Sequence, residues 1–250
     1  MKTVCVIPAR YGSQRLAAKP LIPLHGRPLI LWVVENALRM KLFDEVIVAT
    51  DHQAIADAIK PSGVAAVFTD ADCPSGTDRI HQAMLDRAGD IIVNLQGDEP
   101  AMPAAAVRLA HESLLASGAD VSTACVPILD RETMENPNAV KVVRDRNERA
   151  LYFSRSPIPS LYRRDEATMT KPNYIFGYKH LGLYIYRRSA LDEFCSLSPS
   201  SLELLEKLEQ LRMLEHGMHI QCVTSPADSV GVDVAEDVSR AEKALKEHPQ

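Results

Sequence analysis

Residues 7–21 read IPARYGSQRLAAKPL, and the run directly before them, TVCV at residues 3–6, is apolar and largely β-branched. Such a run is typical of a buried strand. The segment after it brings three cations, Arg10, Arg15 and Lys19, together with Gly12 and Ser13. Main-chain N–H groups in a turn of small residues, combined with cations, can hold a polyphosphate. A solvated basic loop is the ordinary alternative, but its position directly after a buried strand favours a phosphate-binding loop.

The sequence excludes two common kinds of nucleotide site. The chain contains neither G-x-x-x-x-G-K-[ST] nor G-x-G-x-x-G. It therefore has no P-loop and no dinucleotide-binding fingerprint.

Strand-like and helix-like patterns alternate outward from this stretch. They predict strands at residues 45–50, 65–68 and 90–95, and helices at residues 28–40 and 104–117. Pro28 suits the first position of one helix, and Gly118 suits the C-terminal cap of the other. This alternation predicts an α/β fold with a doubly wound, mostly parallel sheet.

Three residues stand at or near the carboxyl ends of predicted strands, namely Pro8, Thr50 and Asp98. Ligands of doubly wound folds bind at the carboxyl ends of the strands. We therefore expect these three residues to converge on one edge of the sheet.

The middle of the chain has a different pattern. Strand-like runs occupy residues 140–143, 150–153 and 183–186, and the polar, proline-containing residues 156–174 predict a long loop. Residues 202–216 predict one helix, on which Leu204, Leu205, Leu208 and Leu211 share an apolar face. The chain continues with a predicted strand at residues 219–223, a loop at 231–237 and a last helix.

Arg212 lies within the apolar face of the predicted helix, beside Leu208, where a cation needs a partner. Glu209, three residues earlier, can supply one. A structural ion pair and a ligand-binding role are equally compatible with this spacing.

Composition limits the class of protein. A chain of 250 residues with 46% apolar and 24% charged residues fits one globular domain, and its net charge of −5 argues against a general nucleic-acid binder. No apolar run reaches membrane-spanning length, and no signal-peptide pattern opens the sequence. The five scattered cysteines lack C-x-x-C spacing, which favours a reducing, cytoplasmic setting without a zinc site.

Eight motifs follow one another along the chain. They are IPARYGSQRLAAKPL at residues 7–21, TDH at 50–52, SGTDR at 75–79, NLQGDEP at 94–100, NPNAVKVV at 136–143, YFSR at 152–155, HLGLY at 180–184 and LEQLR at 208–212. This ordered set closely resembles the CMP-Kdo synthetases, also called 3-deoxy-manno-octulosonate cytidylyltransferases. Any one of these motifs is weak, but their order across nearly the whole chain is very specific.

The resemblance implies a Rossmann-like sheet of the nucleotide-diphospho-sugar transferase type, with a smaller mixed sheet in the middle region. It implies one domain over residues 1–250, with a nucleotide half at about 1–128 plus 218–250 and an acceptor and dimer region at about 129–217. It also implies transfer of CMP from CTP to 3-deoxy-D-manno-octulosonate (Kdo), with Mg²⁺ as cofactor, in a cytoplasmic homodimer that serves lipopolysaccharide or capsule synthesis.

The resemblance also implies roles for matching residues. The catalytic residues are Arg10, Lys19 and Asp98. The nucleotide-binding residues are Pro8, Ala9, Arg10, Ser13, Arg15, Lys19, Ser75, Gly76, Gln96 and Asp98. The acceptor-binding residues are Gln96, Arg155, His180, Tyr184, Glu209 and Gln210, and the metal ligands are Asp98 and Asp233.

The residues alone support these roles unequally. Carboxylate oxygens such as those of Asp98 suit Mg²⁺, although an aspartate after a strand is also a common helix cap. Ser75 or Thr77 reads equally well as the cap of a helix. A lone histidine or tyrosine in a strand, such as His180 or Tyr184, is more often a packed core residue.

Two departures from the family pattern leave alternatives open. Ala17-Ala18 replaces the usual Pro-Gly, and Val234-Ala235 replaces the usual Thr-Pro, so the loops lose backbone constraint but no charge. The first rival is CMP activation of another acid, such as 8-amino-Kdo, a sialic acid or a phosphonate. The second is a catalytically silent nucleotide-binding relative, against which the intact cations and carboxylates argue.

Overall fold

A nine-stranded sheet forms the centre of the protein, whose computed structural model describes residues 1–12, 16, 18–162, 164 and 166–247. Its strands are β1 (Thr3–Ala9), β4 (Glu45–Thr50), β5 (Ala65–Phe68), β6 (Ile91–Leu95), β7 (Val121–Ile128), β8 (Lys141–Arg144), β9 (Ala150–Ser154), β10 (Gly177–Arg187) and β11 (Ile220–Thr224). A separate two-stranded sheet pairs β2 (Pro23–Leu24) with β3 (Arg27–Pro28).

The main sheet has the order β11-β7-β10-β6-β1-β4-β5. The pairs β1–β4, β1–β6, β4–β5 and β7–β11 are parallel, whereas β10 is antiparallel to both β6 and β7. The predicted doubly wound, mostly parallel α/β sheet is therefore confirmed. The β8–β9 pair is antiparallel and joins the main sheet through β10, so the small middle sheet is continuous with the central one.

Helices cover both faces of this sheet. They are α1 (Leu29–Met40), α2 (Gln53–Ile59), α3 (Gly76–Met84), α4 (Ala104–Ser117), α5 (Arg131–Glu135), α6 (Glu166–Met169), α7 (Arg188–Ser196), α8 (Ser201–Glu206), α9 (Gln210–Glu215) and α10 (Ala235–Glu247). Along β1, Val4 and Val6 pack in one core cluster, and Cys5 and Ile7 pack in the other. Burial of each such side chain contributes on the order of 2 kcal/mol.

The bounds of two predicted helices can be compared with the structure. Helix α4 spans the predicted residues and ends at Gly118, whose φ of 68° is left-handed, as the predicted cap requires. Helix α1 begins at Leu29, so Pro28 is the residue before the helix and not its first residue. Pro28 lies outside the helix because it belongs to strand β3, where it pairs with Pro23.

The single helix predicted over residues 202–216 is wrong. Two short helices, α8 and α9, replace it, and Lys207 between them has a left-handed φ of 56°. The apolar face is broken accordingly, since Leu204 and Leu205 are 54% and 79% exposed. An apolar helical spacing does not reveal a reversal at a residue such as Lys207, which has no marked preference for a turn.

The partner predicted for Arg212 is also wrong. Its guanidinium forms an ion pair with Glu203, with 2.6 Å between Nη2 and Oε1. The break at Lys207 folds α8 back against α9 and brings Glu203 to Arg212. Glu209 instead accepts a hydrogen bond of 2.7 Å from Thr77 Oγ1.

Candidate active site

A cleft of about 360 Å³ opens at the carboxyl ends of β1 and β6. It is lined by Pro8, Ala9, Arg10, Lys19, Pro20, Cys73, Pro74, Ser75, Gly76, Arg79, Gln96, Gly97, Asp98 and Asp233. Pro8 and Asp98 lie at one edge, as expected from the ends of their strands. Thr50, the third residue expected there, is fully buried at the end of β4 and is not part of the lining. The structure brings together every predicted nucleotide and metal residue that it describes; Ser13 and Arg15 lie outside the described residues.

Gly97 allows the two strand ends to approach. A Cβ at this position would lie 2.6 Å from the carbonyl oxygen of Pro8, a separation that real Cβ atoms essentially never show. A residue without a side chain is therefore needed where the main chains after β1 and β6 meet. Gln96 and Asp98, which flank Gly97 in the sequence, both line the cleft.

Lys19 lies between the two predicted metal ligands. Its ammonium is 2.5 Å from Asp98 Oδ2 and 2.9 Å from Asp233 Oδ1. Partial burial alone would lower the pKa of Lys19, but the two carboxylates outweigh it and raise that pKa above its ordinary value. Lys19 is therefore a charged group that holds segments from the two ends of the chain together.

The donor set at this point fits a divalent cation of the Mg²⁺ type. Asp98 and Asp233 supply hard carboxylate oxygens within 3 Å of one ammonium, so a cation can be held where a positive charge is already favoured. Two carboxylates leave room for phosphate and water ligands, as Mg²⁺ prefers. Within the described part of the chain, no cluster of three or more His, Cys, Asp or Glu could hold a metal ion.

The opposite side of the cleft is built on the first turn of α3. Ser75 is the N-cap of this helix, and its Oγ accepts a hydrogen bond from the Asp78 N–H at 3.2 Å. The capping interpretation of Ser75 is thus confirmed, and it leaves the Ser75–Gly76 main chain facing the cleft. Gln96 donates from Nε2 to Asn94 Oδ1 at 2.9 Å, which fixes the orientation of its amide.

Of the predicted acceptor residues, Gln96 alone lines this cleft. His180 is partly buried between the rings of Phe153 and Tyr184, and Tyr184 is 5% exposed. Thr123 Oγ1 donates to the Leu183 carbonyl, so His180 Nε2 donates to Thr123 Oγ1 at 2.8 Å. The pairing of β10 with β7 is irregular between His180 and Tyr184, a kind of irregularity that often re-aims side chains near active sites.

Arg155 is held by main-chain carbonyl groups. Its Nε donates to Glu206 O at 3.0 Å and its Nη1 to Pro137 O at 3.1 Å, with Lys207 O at 3.4 Å from Nη2. The residue is not part of the cleft lining. These contacts join residues 136–139 to the turn between α8 and α9, a structural role that the sequence did not suggest. Binding of the acceptor carboxylate by Arg155 stays a prediction.

Glu209 and Gln210 start helix α9 behind the Ser75–Thr77 turn. Gln210 is 3% exposed. Burial raises the pKa of Glu209, and the hydrogen bond from Thr77 partly opposes this rise. Glu209 thereby connects the Ser75–Thr77 side of the cleft to the middle region of the chain.

Known proteins resemble this chain in sequence and in fold. The Cytidylyltransferase family model matches residues 4–220. The chain is 46% identical to a 3-deoxy-manno-octulosonate cytidylyltransferase of Bdellovibrio bacteriovorus over 98% of both chains. It is 44% identical to the protein of that name from Chlorobium phaeobacteroides, over 100% of this chain and 99% of the relative.

The chain belongs to the cytidylyltransferase family. A solved structure of a CMP:2-keto-3-deoxy-manno-octonic acid synthetase, complexed with CTP, superimposes with a TM-score of 0.89 and 37% identity. The superposition covers 99% of each chain. The family resemblance given by the sequence motifs is therefore confirmed. No helix among the described residues of this cytidylyltransferase is long and apolar enough to cross a membrane.

Sequence reasoning assigned no role to three residues of this cytidylyltransferase that the structure places at or beside the cleft. Arg79 lines the cleft and is 2% exposed. Asp51 pairs with it, at 3.3 Å from Arg79 Nη2 to Asp51 Oδ2. Burial, helped by the neighbouring Asp98, raises the pKa of Glu99 to about 7. Arg79 and Glu99 were visible as members of matching motifs, but their partners are remote in sequence.

The Ala17-Ala18 departure from the family pattern has a structural consequence at Ala18. Its φ of 50° lies in the left-handed region, where an alanine is strained and a glycine is not. We expect Ala18→Gly to raise the free energy of unfolding by about 0.5 kcal/mol, since relief of roughly 1 kcal/mol of strain exceeds the entropic cost of glycine. Urea unfolding measures this difference. Ala105→Gly in helix α4 is the control and should have the opposite sign, and equal signs would contradict the argument.

The enclosed His180 gives the stability of the protein a pH dependence. Burial lowers its pKa to about 3, whereas an unfolded chain takes up that proton near the ordinary value of 6.5. The free energy of unfolding therefore has its full value above about pH 6.5. It decreases by up to about 1.4 kcal/mol per pH unit as the pH falls toward 3, because the unfolded chain then binds a proton that the folded His180 does not. We expect the free energy of unfolding, measured from pH 8 to 5, to fall more steeply for the unaltered protein than for His180→Phe. The difference between the two proteins should therefore become smaller on acidification. Parallel profiles would contradict this expectation.

Proposed function

We propose that this chain is a CTP-dependent 3-deoxy-manno-octulosonate cytidylyltransferase, which forms CMP-Kdo and pyrophosphate from CTP and Kdo. The observation that carries the proposal is 46% identity, over 98% of both chains, to the Bdellovibrio protein of that name. The cleft supports it, because cations and carboxylates face a turn of small residues across a space of about 360 Å³.

CTP is proposed to lie across this cleft. Arg10 and Lys19 hold the β- and γ-phosphates, with Arg15 and Ser13 as further members of the loop and the main chain of Pro8 and Ala9 beneath. The cytosine lies against the Ser75–Gly76 turn and Gln96. Kdo approaches from the side of Gln96, His180, Tyr184, Glu209 and Gln210, with Arg155 as the predicted partner of its carboxylate.

The reaction follows from these positions. The anomeric hydroxyl of Kdo attacks the α-phosphorus in line and gives up its proton to water. The new P–O bond forms, and the bond to the β-phosphate breaks to release pyrophosphate. Arg10 and Lys19 stabilise the negative charge that develops on pyrophosphate. Asp98 and Asp233 would hold Mg²⁺, which when bound neutralises charge on the α-phosphate. Positioning and charge neutralisation account for the chemistry, so no covalent enzyme intermediate is required.

We further propose that the enzyme acts as a homodimer in the cytoplasm. Large apolar side chains of the 129–217 region remain exposed, and they include Leu129, Leu151, Tyr162, Leu204 and Leu205. Such exposure suits a contact with a second copy. The five cysteines are free, which fits a reducing compartment. Sedimentation of the pure protein tests the dimer, and a monomer at micromolar concentration would contradict it.

A pyrophosphate-release assay tests the proposed reaction. The pure protein is given CTP and Mg²⁺ with Kdo, 8-amino-Kdo, a sialic acid or a small phosphonate in separate reactions. We expect turnover with Kdo and a much slower rate when UTP replaces CTP. Turnover of sialic acid or the phosphonate without either octulosonate would overturn the substrate assignment, and no turnover of any acid would overturn the enzyme assignment.

A further inference from the structure

The main chain of Tyr11 is fixed on both sides. Its N–H donates to Asp51 Oδ1 at 2.9 Å, and its carbonyl accepts from the Ala18 N–H at 3.2 Å. Its ring stacks on His52, with 3.8 Å between ring centroids and 16° between planes. Tyr11 directly follows Arg10, and Ala18 directly precedes Lys19. The main chain of this one residue therefore connects the two cations proposed to face the triphosphate to residue 51.

Asp51 is itself held in place. Its second oxygen is 3.3 Å from Arg79 Nη2, and the two side chains are 9% and 3% exposed. Arg79 Nη1 donates to Thr69 Oγ1, so the guanidinium has a second partner on the other side. A desolvated, hydrogen-bonded ion pair has few alternative geometries, since breaking it leaves a buried charge unpaired. The Asp51 carboxylate is thus a rigid acceptor for the Tyr11 N–H.

We propose that Asp51 is a positioning residue for the triphosphate of CTP, which acts by holding the Tyr11 peptide between Arg10 and Lys19. The chain of contacts Thr69–Arg79–Asp51–Tyr11 transmits the rigidity of β4, β5 and α3 to the main chain next to Arg10. Asp51 touches no phosphate in this role. The inference rests on the proposed function, because it assumes that CTP binds in this cleft.

Because Asp51 is charged, its positioning role can be tested through the sign of the change in CTP affinity. A carboxylate near a triphosphate site repels the ligand, so loss of its charge alone would tighten CTP binding. Loss of positioning would weaken it, since preorganised cations lose less freedom when they bind. In Asp51→Asn the amide cannot accept from both the Tyr11 N–H and Arg79 with the strength of a carboxylate. The sign of the change in affinity therefore separates the two roles.

Calorimetric titration of the full chain with CTP and with CMP tests the proposal. For Asp51→Asn we expect CTP affinity to fall about tenfold and CMP affinity to stay within twofold, because CMP does not reach the Arg10–Lys19 side. Thr69→Val, which loosens Arg79 without changing charge, should show the same selectivity with a smaller loss. Asp57→Asn makes the same chemical change in an exposed ion pair of helix α2 and should alter neither affinity.

Three results would overturn the proposal: unchanged CTP affinity, tighter CTP binding, or an equal loss for CTP and CMP. If Asp51→Asn fails to fold, hydrogen exchange on the unaltered protein decides the matter. The Tyr11 amide should then be protected in the absence of ligand, and free exchange would overturn the proposal. Failure of the unaltered protein to bind CTP would instead contradict the proposed function.

Discussion

Asp98→Asn is expected to lower kcat for pyrophosphate release by about 10²–10³-fold while the protein remains folded. The substitution keeps the size of the side chain but removes the charge that lies 2.5 Å from Lys19 and is proposed to hold Mg²⁺. Charge on the α-phosphate is then less well neutralised in the transition state. The Mg²⁺ concentration for half-maximal rate should rise in parallel. Both quantities come from initial rates measured over a series of Mg²⁺ concentrations.

A matched control separates this effect from a general loss of negative charge. Asp192→Asn removes a carboxylate from an ion pair with Arg188 on helix α7, away from the cleft, and should leave kcat unchanged. Circular dichroism confirms that each variant is folded. Activity close to that of the unaltered enzyme in folded Asp98→Asn would remove Asp98 from the catalytic and metal-binding residues.

Lys19→Ala should lower kcat by about 10²-fold and weaken CTP binding, with little change in the KM for Kdo. The ammonium faces the proposed leaving group. Its loss therefore raises the free energy of the transition state, in which pyrophosphate departs, more than it raises the free energy of bound CTP. Its loss also leaves Asp98 and Asp233 close together without the cation between them. Steady-state kinetics with each substrate varied in turn gives the required split between kcat and the two KM values.

The chain offers a close control for this variant. Lys60 also starts a short 3-10 helix and also precedes a proline, but it is exposed and pairs only with the nearby surface residue Asp57 among the described ion pairs. Lys60→Ala should therefore leave both KM values and kcat unchanged. If Lys19→Ala behaves like Lys60→Ala, the triphosphate is held elsewhere.

Local sequence patterns predicted the parallel part of the sheet well. Strand β4 and helix α4 have the predicted bounds because each is an apolar run closed by a clear boundary, as at Gly118. The helix predicted over residues 202–216 failed because its periodicity is continuous through Lys207, where the main chain reverses. The pairing of Arg212 with Glu203 depends on that reversal and could not be read from the spacing.

The sequence predicted the location of the candidate site better than it predicted the contacts within that site. The carboxyl ends of parallel strands lie at one edge by geometry, so Pro8 and Asp98 could be expected to meet. The position of Lys19 between Asp98 and Asp233 could not, since these residues are far apart in sequence and joined only by the fold. The contacts of Arg155 with three carbonyl groups show the same limit, because a guanidinium can donate to main-chain carbonyls as well as to carboxylates.

The position of strand β1 in the sheet affects how the chain folds while the ribosome is still synthesising it. It is almost wholly buried in the middle of the sheet, yet its partners lie at residues 45–50 and 91–95. A nascent chain therefore emerges with an apolar strand whose two edges stay unpaired until much later segments are synthesised. Unpaired apolar edges promote aggregation, and pairing over such separations is slow. Newly made chains of this protein should accordingly depend on chaperones until β6 has emerged.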